Sequence, residues 1–278
     1  MTHRIIKKLF LPALLLWSAA GAQAQQTVAG LPATPYQVGE KLTYSASYSL
    51  SFINTDVGEV IFSVTSGKLN GKPVYHFNAT AVTYPFYRTF FDMRDVYDSW
   101  VDQETLKPLY MKSNIKEGGY RFTSEVNYDW VQMRGYSKWR NLKRPSYTHK
   151  VLPLTSGCMD GVSLFYSLRS IDASAMSPGQ RGQVELLLED TVRKINYRFI
   201  GRETRAIAGL GTCKTMKFSA ELATSTGEAF ADGTEFFIWF SDDKNQIPLY
   251  VETPIRVGSV KVRLIKWEAL RYPFASKQ

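Results

Sequence analysis

Two cysteines carry the most reactive side chains of this sequence. Cys158 lies in the segment Thr155–Asp160, directly before a helical pattern, where a helix dipole could lower the pKa of a thiol and make it a nucleophile. In an oxidising compartment, however, Cys158 and Cys213 would pair, and a bonded sulfur cannot attack a substrate. The sequence therefore predicts a structural disulfide between Cys158 and Cys213, with two buried free thiols as the alternative.

Acidic and basic residues interleave between positions 88 and 98. Three aspartates and two arginines occur there, and such a group could form a charged cluster in a cleft. The alternative is a set of solvated positions beside a buried aromatic group. The aspartates are Asp92, Asp95 and Asp98, the arginines are Arg88 and Arg94, and the aromatic residues are Phe86, Phe90 and Phe91.

Metal or cofactor chemistry has little support in the residue spacing. A metal centre needs three or four convergent ligands, and no group of His, Cys, Asp and Glu has such spacing. Beyond the first few residues the only histidines are His76 and His149. We therefore predict no metal, no cofactor and no catalytic residue, and whether the protein is an enzyme stays open.

The segment 130–150 mixes aromatic and basic side chains. This combination suits the head groups of anionic lipids or acidic glycans, because the rings can enter an interface while the cations pair with anions. The alternative is an exposed hairpin whose aromatic residues cover the core. The residues proposed for an anionic surface patch are Lys138, Trp139, Arg140, Lys143 and Arg144.

The first 24 residues have the pattern of a secretory signal peptide. Basic residues precede an apolar run from Leu9 to Ala20, and Ala22-Gln23-Ala24 is a small-x-small cleavage site. We expect cleavage after Ala24, a flexible leader over residues 25–35, and a periplasmic location. The apolar run is too short to span a bilayer, and no other run is longer, so no transmembrane segment is predicted.

The charge balance favours anionic partners. The chain carries 34 Lys and Arg against 25 Asp and Glu, a formal net charge of +9, and removal of Arg4, Lys7 and Lys8 with the signal peptide leaves +6. A moderately basic exported protein is suited to phospholipid or anionic glycan rather than nucleic acid. Residues 36–278 are expected to form a single β-rich domain, with two β subdomains divided near 150–180 as the alternative.

Strand signals dominate the elements that would position these residues. Apolar and polar residues alternate in many short runs, and Asn70-Gly71 joins two of them as a hairpin turn. Gly161, Leu164, Phe165 and Leu168 instead follow helical spacing. The predicted fold is therefore mostly β, a curved antiparallel sheet that forms an open or incomplete barrel with one main helix, at about 160–170, packed on it.

The concave side of such a sheet could hold an apolar ligand. Large apolar side chains on the same faces of the predicted strands are candidate lining residues, although most of them could equally fill the core. They are Tyr75, Phe77, Met216, Phe218, Phe237 and Trp239.

Several sequence blocks resemble the DUF3108 family of exported bacterial proteins, whose function is unknown. The blocks are Gly39–Tyr44, Asp160–Arg169, Gly201–Glu203, Gly211–Cys213, Trp239–Asp243 with Ile247-Pro248, and Val257–Ser259. They occur in order along most of the chain. The resemblance implies an exported β-rich protein and supplies no catalytic residue.

Three functions remain open at the level of sequence. The leading hypothesis is a non-enzymatic periplasmic protein that binds an apolar or amphipathic cell-envelope ligand, such as a lipid or a lipid-linked glycan. A second is an envelope assembly or scaffold factor that binds a protein partner. A third is an enzyme that acts on cell-wall or glycan substrates, through Cys158 or an acidic pair.

Overall fold

Apolar and polar residues alternate along most of the chain, a pattern that favours β-strands because successive residues of a strand point to opposite faces of a sheet. The computed structural model describes residues 33–50, 53–188, 191–221, 235–254 and 258–278, which form fifteen strands and one α-helix. The predicted signal peptide and most of the leader lie outside these residues, and the proposed division into leader and single domain stays a prediction. The elements are β1 Lys41–Leu50, β2 Ile53–Leu69, β3 Lys72–Thr83, β4 Arg94–Asp102, β5 Pro108–Glu117, β6 Tyr120–Asp129, β7 Arg134–Asn141, β8 Arg144–Pro153, β9 Cys158–Asp160, α1 Gly161–Leu168, β10 Arg181–Leu188, β11 Thr191–Ile207, β12 Gly211–Glu221, β13 Glu235–Ser241, β14 Pro248–Pro254 and β15 Ser259–Glu268.

All fifteen strands belong to one sheet, in the order β8-β7-β6-β5-β4-β3-β2-β1-β15-β14-β13-β12-β11-β10-β9. The first and last strands pair at its middle, with Lys41 opposite Glu268 and Ser49 opposite Ser259. Every pairing among the described strands is antiparallel except that of β9 with β10. At the predicted hairpin between β2 and β3, Asn70 and Gly71 have φ of 51° and 82°, as a tight turn of this type requires.

Helix α1 begins where predicted, because Asp160 caps it. The Asp160 carboxylate accepts hydrogen bonds from the backbone N–H groups of Val162 (3.1 Å) and Ser163 (3.0 Å). The helix packs against β3, β4, β9 and β10 and is buried except at Ser167, so it fills the inside of the curved sheet. The predicted β fold with one main helix is thus confirmed.

Aromatic stacking joins the helix to the sheet. The ring of Phe165 stacks on Phe62 of β2 at 3.8 Å between centroids, and Tyr166 stacks on Phe77 of β3 at 4.1 Å. Burial of such rings supplies much of the free energy that holds a helix against a sheet. These contacts attach the helix to β2 and β3 in the N-terminal half of the sheet.

The sheet stays open, and side chains rather than backbone hydrogen bonds bring its two ends together. A second apolar cluster joins β5, β6 and β8 to β9 and β10. Asp160 adds a polar link, because Ser99 Oγ of β4 donates to its Oδ2 at 2.7 Å and the Tyr128 hydroxyl of β6 donates at 3.4 Å. The cluster consists of Met111, Val126, Tyr128, Leu152, Leu154, Cys158 and Leu187.

A buried ion pair closes one end of the curled sheet. The Arg169 guanidinium, directly after α1, binds both carboxylate oxygens of Glu40 at 2.5 and 2.9 Å, and both side chains are fully buried. It also donates to the backbone oxygens of Asn245 (3.1 Å) and Pro35 (3.2 Å). One side chain thereby ties the helix to the segment before β1 and to the turn between β13 and β14.

Candidate functional site

The candidate lining residues divide between the two faces of the sheet. Four of them, Tyr75, Phe77, Met216 and Phe218, point inward and belong to the main apolar core. Phe237 and Trp239 were expected on the same side, and the structure corrects this. On β13 the inward residues are Phe236, Ile238 and Phe240, so the two remaining candidates face outward.

On the outer face, Trp239 is covered by its neighbours. The Arg205 guanidinium lies 3.9 Å from the centre of the Trp239 ring, and Tyr250 packs against it edge to face at 5.4 Å. The indole N–H donates to the Glu203 carboxylate. With 2% of its surface exposed, Trp239 stabilises the outer face and offers little area to a ligand.

The predicted disulfide is absent from the structure, where Cys158 and Cys213 are both free and fully buried. Cys158 pairs with Glu185 on β10, which places it level with Lys194 on β11. Cys213 instead pairs with Arg205 on β11. At about 3.3 Å per residue, these levels are roughly 35 Å apart along β11, whereas bonded cysteines have Cα atoms within about 7 Å.

The nucleophile hypothesis for Cys158 also loses support. Burial, with a smaller contribution from Glu185 and Asp160, raises the pKa of the Cys158 thiol to about 12. The thiol is therefore protonated at neutral pH and is shielded from solvent, whereas reactive cysteines are exposed and have a low pKa.

The basic segment forms the hairpin of β7 and β8 at one edge of the sheet, and its patch residues lie on both faces. Lys138 and Arg140 lie over the exposed ring of Tyr147 at 5.3 and 4.9 Å. Trp139 points to the opposite face and packs on the core, with the Arg144 guanidinium 5.8 Å from its ring. Lys143 is exposed in the turn.

The charged group at 88–98 also separates into three environments. Asp98 lies on the outer face, where its carboxylate binds His76 Nε2 at 2.8 Å and the side-chain amide of Asn78 at 2.8 Å. Asp95 is completely buried. Only Asp92 takes part, with Arg88 and Arg94, in a surface cleft.

Thr65, His76 and Asp98 line up across three neighbouring strands. Thr65 Oγ1 lies 3.3 Å from His76 Nδ1, and His76 Nε2 lies 2.8 Å from Asp98 Oδ1. The register explains the alignment, since Thr65 is opposite His76 and Asp98 is opposite Asn78. The group lies on a solvated sheet surface rather than in a concave site, so it is best described as a polar cross-strand ladder.

The loop between β3 and β4 forms a cleft of about 570 Å³ with Lys116 of β5. Pro85–Thr89 makes a single 3-10 turn at the edge of the cleft. Arg88 Nε donates to the backbone oxygen of Thr83 at 3.1 Å, and Lys116 Nζ pairs with Asp92 at 3.1 Å. The lining residues are Val82, Arg88, Thr89, Asp92, Met93, Arg94 and Lys116.

Two aromatic side chains beside the cleft face solvent. Phe86 is 73% exposed and Phe90 is 63% exposed, and their ring centres are 6.4 Å apart. Of the aromatic group expected to be buried, only Phe91 is buried. The cleft therefore combines three cations and one anion with apolar lining, and the exposed rings of Phe86 and Phe90 lie at its edge.

A pair of buried carboxyl groups lies on the same strands as the cleft. Asp95 lies on β4 and Glu117 on the neighbouring β5, and the side chain of Glu117 hydrogen bonds to Asp95. The backbone N–H of Lys116 also donates to Asp95 Oδ1, at 2.9 Å. Burial raises the pKa of Asp95 to about 7, against the opposing effect of these hydrogen bonds. This carboxyl group consequently holds a proton in the folded protein well above the usual pKa of aspartate.

Within the described residues, no group of three or more His, Cys, Asp and Glu side chains converges as a metal site would require. Nor does the one helix in that part of the chain have the length and hydropathy to cross a membrane.

The architecture defines a barrel-like β protein, an open curled antiparallel sheet around one central helix. The sequence model of DUF3108, described as a protein of unknown function, matches residues 43–265, and the chain belongs to this family. A search of the curated proteins found no match.

Two solved structures are similar to the chain. One is a beta-barrel-like protein of the domain of unknown function DUF1849 from Brucella abortus, with a TM-score of 0.56 and 10% identity over 84% of this chain and 99% of that one. This likeness supports the fold alone. The other is a protein with a YmcC-like fold from Bacteroides fragilis, with a TM-score of 0.40 and 10% identity over 84% of this chain and 98% of that one.

Proposed function

We propose that this protein is periplasmic and binds an amphipathic cell-envelope molecule with an anionic head group, a lipid or a lipid-linked glycan, without transforming it. The observation that carries this proposal is the cleft between β3, β4 and β5. Arg88, Arg94 and Lys116 would pair with the head group, while Val82 and Met93 line the apolar part. Phe86 and Phe90 at the edge of the cleft extend that apolar surface.

The charge balance of the cleft favours an anion over a zwitterion or a cation. Asp92 is already paired with Lys116, so the two arginines are the cations least compensated by the lining. Charge-assisted hydrogen bonds from guanidinium groups to phosphate or carboxylate are short and often bidentate. We therefore propose the cleft at one end of the sheet as the binding site, in place of the concave interior that the sequence suggested.

A calorimetric titration tests the proposal. The probe is a short-chain phosphatidylglycerol kept below its micelle concentration, with the matched phosphatidylcholine as the zwitterionic comparison. We expect saturable binding of the anionic probe only. Because each lost charge-assisted hydrogen bond costs about 1.5–3 kcal/mol, the double variant Arg88→Gln with Arg94→Gln should bind at least about tenfold more weakly.

The matched control is Arg134→Gln with Arg140→Gln, which removes the same charge from exposed positions on β7. It should bind like the unmodified protein. Equal binding of both probes, or an equal loss in the two double variants, would contradict a specific site at the cleft.

The exposed edge strand β8 favours a second candidate function, assembly with a protein partner. Nearly all its residues are exposed, and an unpaired edge can accept a further strand through backbone hydrogen bonds. Pro145, Pro153 and the cations along β8 oppose such pairing, because these residues are typical of protected edges. Crosslinking from Ser146 in cells, with capture of one reproducible partner, would support this alternative.

A further inference from the structure

Three consecutive turns at one end of the sheet share an unusual composition. Neighbouring antiparallel strands alternate in direction, so the turns β3–β4, β5–β6 and β7–β8 all lie at the same end. Each is two strands from the next, a spacing of about 10 Å. We refer to residues 84–94, 116–121 and 142–144 together as the rim.

Every turn of the rim exposes a large apolar side chain. The exposed fractions are 73% and 63% for Phe86 and Phe90, 37% for Tyr120 and 66% for Leu142. Among the described turns at the opposite end of the same strands, only that between β6 and β7 exposes one, Val131. Single exposed apolar residues are ordinary on a protein surface, but a row of them marks an interaction site.

Cations occupy the positions between these apolar tips. The two acidic residues of the rim are compensated or hidden, because Asp92 pairs with Lys116 and Glu117 is buried. From Trp130 to Met159, a stretch that includes the β7–β8 turn, the sequence has no Asp or Glu. The cations are Arg88, Arg94, Lys116, Arg121, Lys143 and Arg144.

We propose that the rim docks this protein on anionic phospholipid bilayers, with Phe86, Phe90 and Leu142 entering the head-group region. Apolar tips bordered by lysine and arginine are what an anionic membrane interface binds, since the rings and leucine partition while the cations meet lipid phosphates. The rim is a surface rather than a pocket, so it engages many lipids at once. In this orientation, the end of the sheet that carries the rim contacts the bilayer, and the strands extend away from it.

Docking is distinct from the cleft function, although Arg88, Arg94 and Lys116 belong to both. Leu142, Lys143 and Arg144 lie outside the cleft. Substitutions at the β7–β8 turn therefore test docking without altering the cleft, and the monomeric lipid probe tests the cleft without a bilayer. Failure of one proposal can thus be told from failure of the other.

The experiment is sedimentation of residues 25–278 with vesicles of phosphatidylcholine alone or with about one third phosphatidylglycerol. We expect binding to the anionic vesicles only, with at least a tenfold loss when salt rises from about 50 to 500 mM. The triple variant Leu142→Ser, Lys143→Gln and Arg144→Gln should bind at least about 30-fold more weakly, because it lacks one apolar tip and two cations.

The matched control is Val131→Ser with Arg134→Gln and Lys72→Gln, which removes one exposed apolar side chain and two cations from the opposite end of the sheet, and it should bind normally. Equal binding to both kinds of vesicle, no binding to either, or an unchanged triple variant would overturn the proposal. A soluble anionic polysaccharide that displaces the protein from vesicles at equal charge concentration would also overturn it, since the rim would then recognise glycan rather than a bilayer.

Discussion

The buried pair of Arg169 and Glu40 gives the sharpest stability test of this fold. In Arg169→Met the Glu40 carboxylate remains inside the protein without its cation. Because both side chains have 0% exposure, solvent cannot compensate either charge. Removing one member of such a pair costs about 3–5 kcal/mol.

The backbone contacts of Arg169 add to this cost. The carbonyl oxygens of Asn245 and Pro35 each lose a donor, and a lost hydrogen bond costs about 1 kcal/mol. We therefore expect Arg169→Met to lower the free energy of unfolding by about 5–7 kcal/mol. The double variant Arg169→Met with Glu40→Gln leaves no buried charge, so it should recover at least about 2 kcal/mol of that loss.

Urea unfolding at pH 7, followed by intrinsic fluorescence, measures these free energies. The matched control is Arg198→Met, which breaks an ion pair with Glu235 at a similar distance, 2.9 Å, but with 41% and 37% side-chain exposure. It should cost less than about 1 kcal/mol. A cost below about 1 kcal/mol for Arg169→Met, or strictly additive effects in the double variant, would refute the reasoning. If Arg169→Met does not fold, the double variant with Glu40→Gln should still have the higher free energy of unfolding of the two.

Three further predictions concern individual side chains. Asp95 has a folded-state pKa of about 7, above its unfolded value, so its contribution to stability is present at low pH and is lost as pH rises from about 4 through 7; Asp95→Asn should flatten this fall by up to about 4 kcal/mol in urea titrations across that range, and an unchanged slope would contradict it. Cys158 and Cys213 should both resist a thiol reagent in the native protein and both react in denaturant without reductant, whereas no reaction in denaturant would indicate a disulfide. Asp160→Ala should cost about 3 kcal/mol of unfolding free energy, because the helix loses its cap and Ser99 loses its acceptor; the matched variant Asp172→Ala, in an exposed turn, should cost under about 1 kcal/mol.

Local patterns were sufficient to predict the type of fold. The alternation in most strands, the Asn70-Gly71 turn and the helical spacing after Asp160 depend only on neighbouring residues, and all three are confirmed. On β13 the pattern fails, because residues 236–240 are all apolar and no polar partner shows which face is inward. Phe237 and Trp239 were assigned to the wrong face for this reason.

Features that depend on distant strands could not be predicted. The separation of Cys158 from Cys213 follows from the register of β9 to β12. The disulfide was predicted from the oxidising compartment, which gives no information on this register. The cleft likewise needs Lys116 of β5 beside the loop after β3. The sequence shows Arg88 and Arg94 as part of a charged group, but the exposure of Phe86 and Phe90 is a property of the folded loop.

The pairing of β1 with β15 has a consequence for how the chain folds. The central ladder of the sheet joins the first and the last of the described strands, so among the described strand pairings it has the greatest sequence separation and the largest entropy cost of loop closure. The hairpins on each side can form early, while β1 keeps an open hydrogen-bonding edge until β15 is synthesised. A nascent or truncated chain without β15 would therefore present β1 as a template for intermolecular pairing, and its aggregation would begin at the middle of the mature sheet.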